Sequence, residues 1–507
     1  MRVALLIAVA TVHPLLPWHH ARLDNRGAVV PWYQAQPNAG FDHVLRLGWG
    51  FLERVPGKPY LRYAVFDGRT LEGRYWQHNP AFLYASLVDS VVGWYPYSGD
   101  RRAVARVREM LDYQLAHGTT PDGWEWPGVP FATSCGGARD YGRCLVDAPQ
   151  RYGGIETDKV GLLGHAYLRF YELTGERRYL DAAVAAADAL AQHVRPGDAD
   201  HTPWPFRVDA RTGAVIANAE YGGAVVGPVE LLDDLGRLGI DRAGDYDRAR
   251  NLAWRWLLRY PLNPQSRAWN KWSGFYEDAR YNPASRNQVG PTLTAAYVLA
   301  HPERDGRWRA HARALLRWTR NSFGRGPYFG AWAIDEQRAP GRSGCCSPAG
   351  LGSDTARWAA VNALLYARTG DRHARTTAFR SLSYATYFAH ADGRVSCCGR
   401  RKANEFWFSD GYGDYLRSFN QAMAAIPELA PAGADHVLGS TSVVQSVTYG
   451  PRRVAYRTFD ANGGEVLRLS FRPASVRGGT ATVRRLRGGD FVVRVRRSAR
   501  QVEILGR

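Results

Sequence analysis

The stretch DKVGLLGHAYLRFYELTGERRYLDAAVAAADALAQHV, Asp158 to Val194, reads as two helices joined by a tight turn at Thr174-Gly175-Glu176. Its first half is apolar on most faces, and its second half has one apolar stripe and one charged face. The first half therefore reads as an inner helix and the second as an outer one. The same order recurs at residues 79–118, 224–260, 289–323 and 355–388, and the last apolar member is DGYGDYLRSFNQAMAAI from Asp410. FDHVLRLGWGFLERV, from Phe41, supplies one more amphipathic helix ahead of them. With that helix as the closing outer partner, the pattern predicts six inner and six outer helices in a ring of hairpins. The inner starts are spaced about 57 to 76 residues apart, longer than common solenoid repeats.

A short polar or aromatic cluster precedes or opens each inner helix. The clusters are Trp76-Gln77-His78-Asn79, Glu156-Thr157-Asp158-Lys159, Glu220-Tyr221, Arg286-Asn287-Gln288, Ser353-Asp354-Thr355 and Trp407-Phe408-Ser409-Asp410. Inner helices that all start at one rim would bring the six clusters to one cavity. After about residue 435 the pattern changes to short β-rich runs with Gly and Pro punctuation, which predicts a small antiparallel β-sandwich. The expected layout is a leader or anchor over residues 1–25, a helical ring over 26–430 and a sandwich over 435–507.

Met1-Arg2 followed by VALLIAVATV fits a secretory signal or an uncleaved anchor, which places the protein outside the cytoplasm, secreted or periplasmic. No later run reaches the length of a membrane span, so no integral membrane domain is expected beyond that anchor. Six Cys fall as Cys135 with Cys144, Cys345-Cys346 and Cys397-Cys398, an even count that suggests disulfides in an exported chain. The zinc-thiolate site of the β-L-arabinofuranosidases pairs a Glu and a Cys two apart with a later Cys-Cys. Here the nearest Glu residues are Glu336 and Glu405, nine before Cys345 and seven after Cys398, so that pattern is not met. No cofactor is expected, with zinc at the vicinal cysteines as the alternative.

The formal charge of +19 raises the question of an acidic partner. Of the 66 basic residues only Lys58, Lys159, Lys271 and Lys402 are Lys, a bias that reads as codon usage, and no nucleic-acid module is visible. Nucleic acid is thus not an expected partner, whereas an acidic polysaccharide stays open. Seventeen Trp and 27 Tyr, several of them at helix entrances, suit stacking on sugar rings, although each would also serve as core.

Glycoside hydrolysis needs one protonated and one ionised carboxyl group. Glu156, Asp158, Asp354 and Asp410 are the catalytic candidates. A carboxylate at a helix start is held ionised by the macrodipole and suits a base, whereas like-charge repulsion from Asp158 would suit Glu156 to the acid role. Asp354 and Asp410 also fit plain N-caps. Trp76, Tyr221, Trp358, Trp407 and Tyr412 are the candidate stacking surfaces, and His78, Asn79, Arg286 and Asn287 the candidate polar contacts. The Glu277-Asp278 pair in WSGFYEDARYN reads as a saccharide contact or a solvated turn.

The repeat order, with the turn signatures ELTGERRYLDAA at Glu172–Ala183 and ARTGDRHARTTA at Ala367–Ala378, resembles the six-hairpin glycosidase-like superfamily over roughly residues 40 to 430. That resemblance implies a mainly α fold, an (α/α)6 toroid of six helical hairpins, with a small C-terminal antiparallel β-sandwich. It implies a carbohydrate-active enzyme on a poly- or oligosaccharide, and leaves hydrolase, polysaccharide lyase and epimerase open. Arg286, Lys159, Tyr412 and His78 supply material for a lyase or epimerase on a uronate-containing glycan. A non-catalytic glycan-binding protein is the third reading.

Overall fold

The computed structural model describes residues 14–33, 39–55, 64–67, 73–75, 80–132, 153–216, 218–241, 243–274, 282–338, 348–396, 405–407 and 411–507. Among them are twelve α-helices: α1 Ala39–Arg54, α2 Pro80–Ser98, α3 Arg101–His117, α4 Thr157–Thr174, α5 Arg177–His193, α6 Val226–Arg237, α7 Asp245–Arg259, α8 Val289–Ala300, α9 Trp308–Phe323, α10 Gly352–Thr369, α11 Arg372–Ala385 and α12 Tyr412–Ala425. The even-numbered helices pack in the closed order α2, α4, α6, α8, α10, α12 and back to α2, and the odd-numbered helices lie outside them. The fold is an (α/α)6 toroid.

Helix chemistry follows that position. The inner α2 and α10 bury nearly every residue, whereas the outer α3, α5 and α9 bury one stripe and leave their charged residues in water. Turns between paired helices explain the repeated Thr-Gly-acid signature. Gly175 and Gly370, at φ 77° and 73°, end α4 and α10 in the left-handed conformation that glycine adopts at least cost. Asp371 then caps α11, its carboxylate accepting from the His373 and Ala374 N–H groups at 3.0 and 3.3 Å.

Two sheets of four strands form the C-terminal sandwich. One runs in the order His436–Ser440, Gly463–Leu469, Phe491–Arg497, Gly479–Arg485, and the other Val444–Gly450, Arg453–Thr458, Gln501–Gly506, Pro473–Arg477. Val454, Leu467, Val493 and Ile504 are among its core, and within it Arg497 donates to Glu465 at 2.7 Å while Tyr456 donates to the same carboxylate at 2.9 Å.

The sandwich docks on the ends of the inner helices. The His436 ring stacks on Tyr97 at 4.0 Å, Tyr449 donates to the Pro96 carbonyl, and Gln445 donates to the Glu172 carbonyl at 2.8 Å. Tyr97 and Pro96 close α2 and Glu172 lies in the last turn of α4, so the sandwich covers the rim opposite the inner-helix starts. Residues 14–25, which the sequence alone assigns to a leader, belong to a segment packed on the outside of the ring. There Asp24 pairs with Arg380 of α11 at 2.6 Å, and His19 Nε2 lies 2.7 Å from the Ala389 carbonyl. Among the described residues no helix is long and apolar enough to cross a membrane.

Trp49, Trp126, Trp204, Trp256 and Trp272 are all but fully buried, so much of the aromatic load is core. Inner helices also touch closely. A Cβ on Gly161 of α4 would lie 2.2 Å from the backbone nitrogen of Pro228 in α6, so this contact accepts no side chain. Gly161→Ala is expected to push α4 from α6 and to cost about 1–3 kcal/mol, the usual range for overpacking. Urea denaturation followed by circular dichroism checks it; an unchanged midpoint would contradict the close contact.

Candidate functional site

The strand Gly154–Glu156, just before α4, pairs antiparallel with Arg207–Asp209, and Glu156 stands opposite Arg207 in that register. Arg207 Nε donates to Glu156 Oε1 at 2.8 Å. In the first turn of α4, Lys159 Nζ lies 2.5 Å from Asp158 Oδ2 and 3.4 Å from Glu156 Oε2. Both cations lie over the Phe206 ring, Lys159 Nζ at 5.5 Å and the Arg207 guanidinium at 5.0 Å from its centroid. All four charged side chains are buried.

A second buried cluster stands across the ring, on α8, α10 and α12. Arg357 donates to Asp354 at 2.5 Å, to Gln288 at 2.7 Å and to Asp414. Arg417 donates to Asp414 at 2.7 Å and to Asp89 of α2 at 2.7 Å. In the closed order of inner helices, α4 and α10 are three places apart, so Asp158 and Asp354 occupy opposite sides of the lumen.

Burial pushes the Asp158 carboxyl up to about 6, against the pull of Lys159 and with a further upward push from Glu156. It pushes Asp354 up to about 7, against Arg357 and with help from Asp414. One oxygen of each, Asp158 Oδ1 and Asp354 Oδ2, is buried with no hydrogen-bond partner among the described residues. Neither group is a cap. Asp354 is the third residue of α10, whose N-cap is Leu351, and the N-cap of α4 is Glu156, which makes no side-chain capping bond.

Between α2, α4, α6 and α8 lies a small cavity of about 20 Å³, room for about one water molecule. Phe82, Leu162, Val226 and Leu293 give it apolar walls, and Asp158, Lys159 and Asn287 its polar groups. Asn287 is held in place by donating to the Gly274 carbonyl at 3.1 Å and accepting from the Gly290 N–H at 3.1 Å.

Several expected site residues have other duties. Tyr221 is buried against Trp256, its ring covered by Lys271 Nζ at 4.0 Å. Trp358 points away from the lumen toward α9, where it donates to the Leu316 carbonyl at 3.2 Å. Tyr412 donates to the carbonyls of Gly48 and Gly393 at 2.9 and 2.7 Å, tying α12 to α1. All three are core residues and offer no ring face to a sugar. Arg286, half-buried, donates to the Pro283 carbonyl at 2.6 Å. Trp76, His78, Asn79, Asp410, the Glu277-Asp278 pair and all six cysteines lie outside the described residues, as does the side chain of Trp407, whose backbone pairs with Val65. Among the described residues no group of three or more His, Cys, Asp or Glu is arranged to hold a metal ion.

The expected acid role of Glu156 is not what the geometry favours. Glu156 is the ion-pair partner of Arg207, and Asp158 is the carboxyl group that burial shifts upward. Arg207 and Arg357 are further members of the site. Arg357 had a sequence signal: Glu156/Lys159, Asp354/Arg357 and Asp414/Arg417 each place an acid and a base three apart at an inner-helix start.

Comparison with solved structures bears directly on this architecture. A D-mannose isomerase is similar with a TM-score of 0.56 at 11% identity, over 77% of this chain and 99% of that one. A sugar epimerase from a ruminal bacterium gives 0.55 at 9%, over 75% and 98%, and the cellobiose 2-epimerase of Bacillus thermoamylovorans B4167 gives 0.53 at 9%, over 75% and 98%. The chain shares the (α/α)6 toroid fold of these structures. No protein-family model and no curated sequence matches it.

The pairing of Glu156 with Arg207 joins the site to the fold. Arg207→Met would leave a buried carboxylate with only the more distant Lys159, and is expected to cost about 3–5 kcal/mol, the range for breaking a buried pair from one side. Glu156→Gln combined with Arg207→Met should cost less than the sum of the two single changes. Denaturation of the three variants measures this; additive losses would mean the pair is not coupled.

Proposed function

We propose that this protein is a carbohydrate-active enzyme, a glycoside hydrolase that uses Asp354 and Asp158 as its acid and base. One observation carries the reading: two buried carboxyl groups, on opposite inner helices, both moved toward neutrality by burial and each with an oxygen unspent. Asp354, the more strongly raised, is the general acid that protonates the departing glycosidic oxygen. Asp158, ionised at lower pH, is the base that takes a proton from water or the nucleophile that attacks the anomeric carbon. Lys159 and Arg207 balance the ionised forms of Asp158 and Glu156, and Asn287 offers its amide to a hydroxyl. The mechanism calls for no metal. An exported setting, on an oligosaccharide or polysaccharide, belongs to the same proposal.

A second reading, epimerisation of a sugar, is favoured by the activities named for the similar toroids, an isomerase and two epimerases. A carboxyl group raised to about 7 would serve there as the base that removes a proton beside a carbonyl.

Incubation with neutral and uronate glycans separates these readings. A hydrolase releases reducing ends without absorbance near 235 nm, a lyase produces that absorbance, and an epimerase changes the sugar with no new reducing end. Asp158→Asn and Asp354→Asn are each expected to lower kcat by about 10²- to 10⁴-fold without unfolding the protein. Full activity in either variant would sink the assignment. Because the base must be ionised and the acid protonated, kcat/KM should rise through about pH 6 and fall through about pH 7. An activity that is level from pH 5 to 8 would exclude this pair.

A further inference from the structure

Residues 436–507 contain fourteen Arg and only four carboxylates, Asp460, Glu465, Asp490 and Glu503, a net charge of +10 out of the +19 of the whole chain. Codon bias explains Arg in place of Lys; it does not explain missing carboxylates. Part of this charge gathers at a groove where the sandwich meets the toroid, with a volume of about 620 Å³. Arg375 of α11 and Arg468, Arg484, Arg485 and Arg487 of the sandwich line it, with Glu428 as the single acid.

Two of these five are committed. Arg468 is buried and donates to Asp490 at 2.9 Å, and Arg484 takes Glu428 at 2.7 Å. Arg485 and Arg487 are exposed and have no carboxylate partner among the described residues. Arg375 lies in the first turn of α11, directly after the end of α10, which puts the groove on the rim opposite the inner-helix starts. It is therefore separate from the cavity beside Asp158.

We propose that this groove binds an anionic glycan chain through its carboxylate or sulfate groups and tethers the polymer to the protein. Planar guanidinium groups match such oxyanions with two parallel hydrogen bonds. Single-stranded nucleic acid fits less well, because among the described residues no aromatic side chain lines the groove to stack a base. A membrane surface also fits less well. Val483 is the only large apolar side chain of the sandwich that is exposed, and membrane docking needs an apolar face beside the charge.

The test is binding by the full-length chain, measured without turnover and so independent of the proposed hydrolase activity. Biolayer interferometry at about 50 and about 200 mM salt would compare polygalacturonate, heparin, dextran, a single-stranded oligonucleotide and anionic phospholipid vesicles, since counterion release makes polyanion binding fall steeply across that range. Polygalacturonate or heparin should bind and dextran should not, and the tighter of the two polyanions identifies carboxylate or sulfate as the preferred group. Arg485→Ala with Arg487→Ala should weaken the bound polyanion about tenfold and flatten its salt dependence by about two ions. Arg485→Lys with Arg487→Lys keeps the charge and should keep the salt dependence, with a smaller loss of affinity, and it serves if the alanine variant does not fold. Arg457→Ala with Arg500→Ala removes the same charge outside the groove and should change affinity by less than about twofold. Equal losses in the two alanine pairs, binding of dextran as tight as that of the polyanions, or tighter binding of the oligonucleotide or the vesicles would overturn the proposal.

Discussion

Charge buried at the starts of the inner helices is the constraint around which this toroid is built. Removing a carboxylate from water costs several kcal/mol unless a cation and further hydrogen bonds replace the lost solvent. The chain meets that cost with repeated local pairs, an acid and a base three residues apart on α10 and α12 and across the first turn of α4. It then links the pairs across helices, Arg357 joining α10 to α8 and α12, and Arg417 joining α12 to α2. These links act in one direction only. An inner helix turned by one residue, about 100°, would carry its acid out of the lumen and strand the partner.

The two rims of the ring thus do different work. At the rim of helix starts, polar groups converge and the packing leaves a cavity. At the opposite rim, aromatic stacking of His436 on Tyr97 and the apolar face of the sandwich close the structure. Polar contacts run between the rims inside the ring. Arg169 reaches Asp89 at 3.4 Å, His165 meets Asp234 at 2.9 Å, and Arg237 bridges Asp234 of α6 to Asp460 of the sandwich at 3.0 and 2.9 Å. Glu230, also within the ring, is pushed up to about 7 by burial.

The fold was legible in the sequence because its signals are local. An apolar helix, a Thr-Gly-acid turn and an amphipathic helix can be read within forty residues, as at Asp158–Val194, and period-two runs after 435 mark the strands without reference to anything distant. The site was legible only in part. Its carboxylates stood out by type and position, but Arg207 lies 51 residues from Glu156 and meets it through a strand register that no local pattern reveals. Tyr221, Trp358 and Tyr412 have the right type and place for sugar stacking. Their burial depends on neighbours such as Trp256, Leu316 and Gly393, which come close only in the folded ring.

Helix dipole and burial act on these carboxyl groups in opposite directions. A helix N-terminus favours a nearby carboxylate by about 0.3–1 kcal/mol at the surface and up to about 2 when partly buried. Burial acts the other way and is larger here. Moving Asp354 from 3.8 to about 7 corresponds to about 4 kcal/mol in favour of the neutral acid, at 1.36 kcal/mol for each tenfold change in proton affinity. Desolvation therefore outweighs the dipole at this depth. Each aspartate also faces a buried cation. Lys159 stands 2.5 Å from Asp158 and 3.4 Å from Glu156, while Arg357 donates to Asp354, Asp414 and Gln288. At both aspartates burial is the larger influence, and the cations that face them pull the other way without cancelling it.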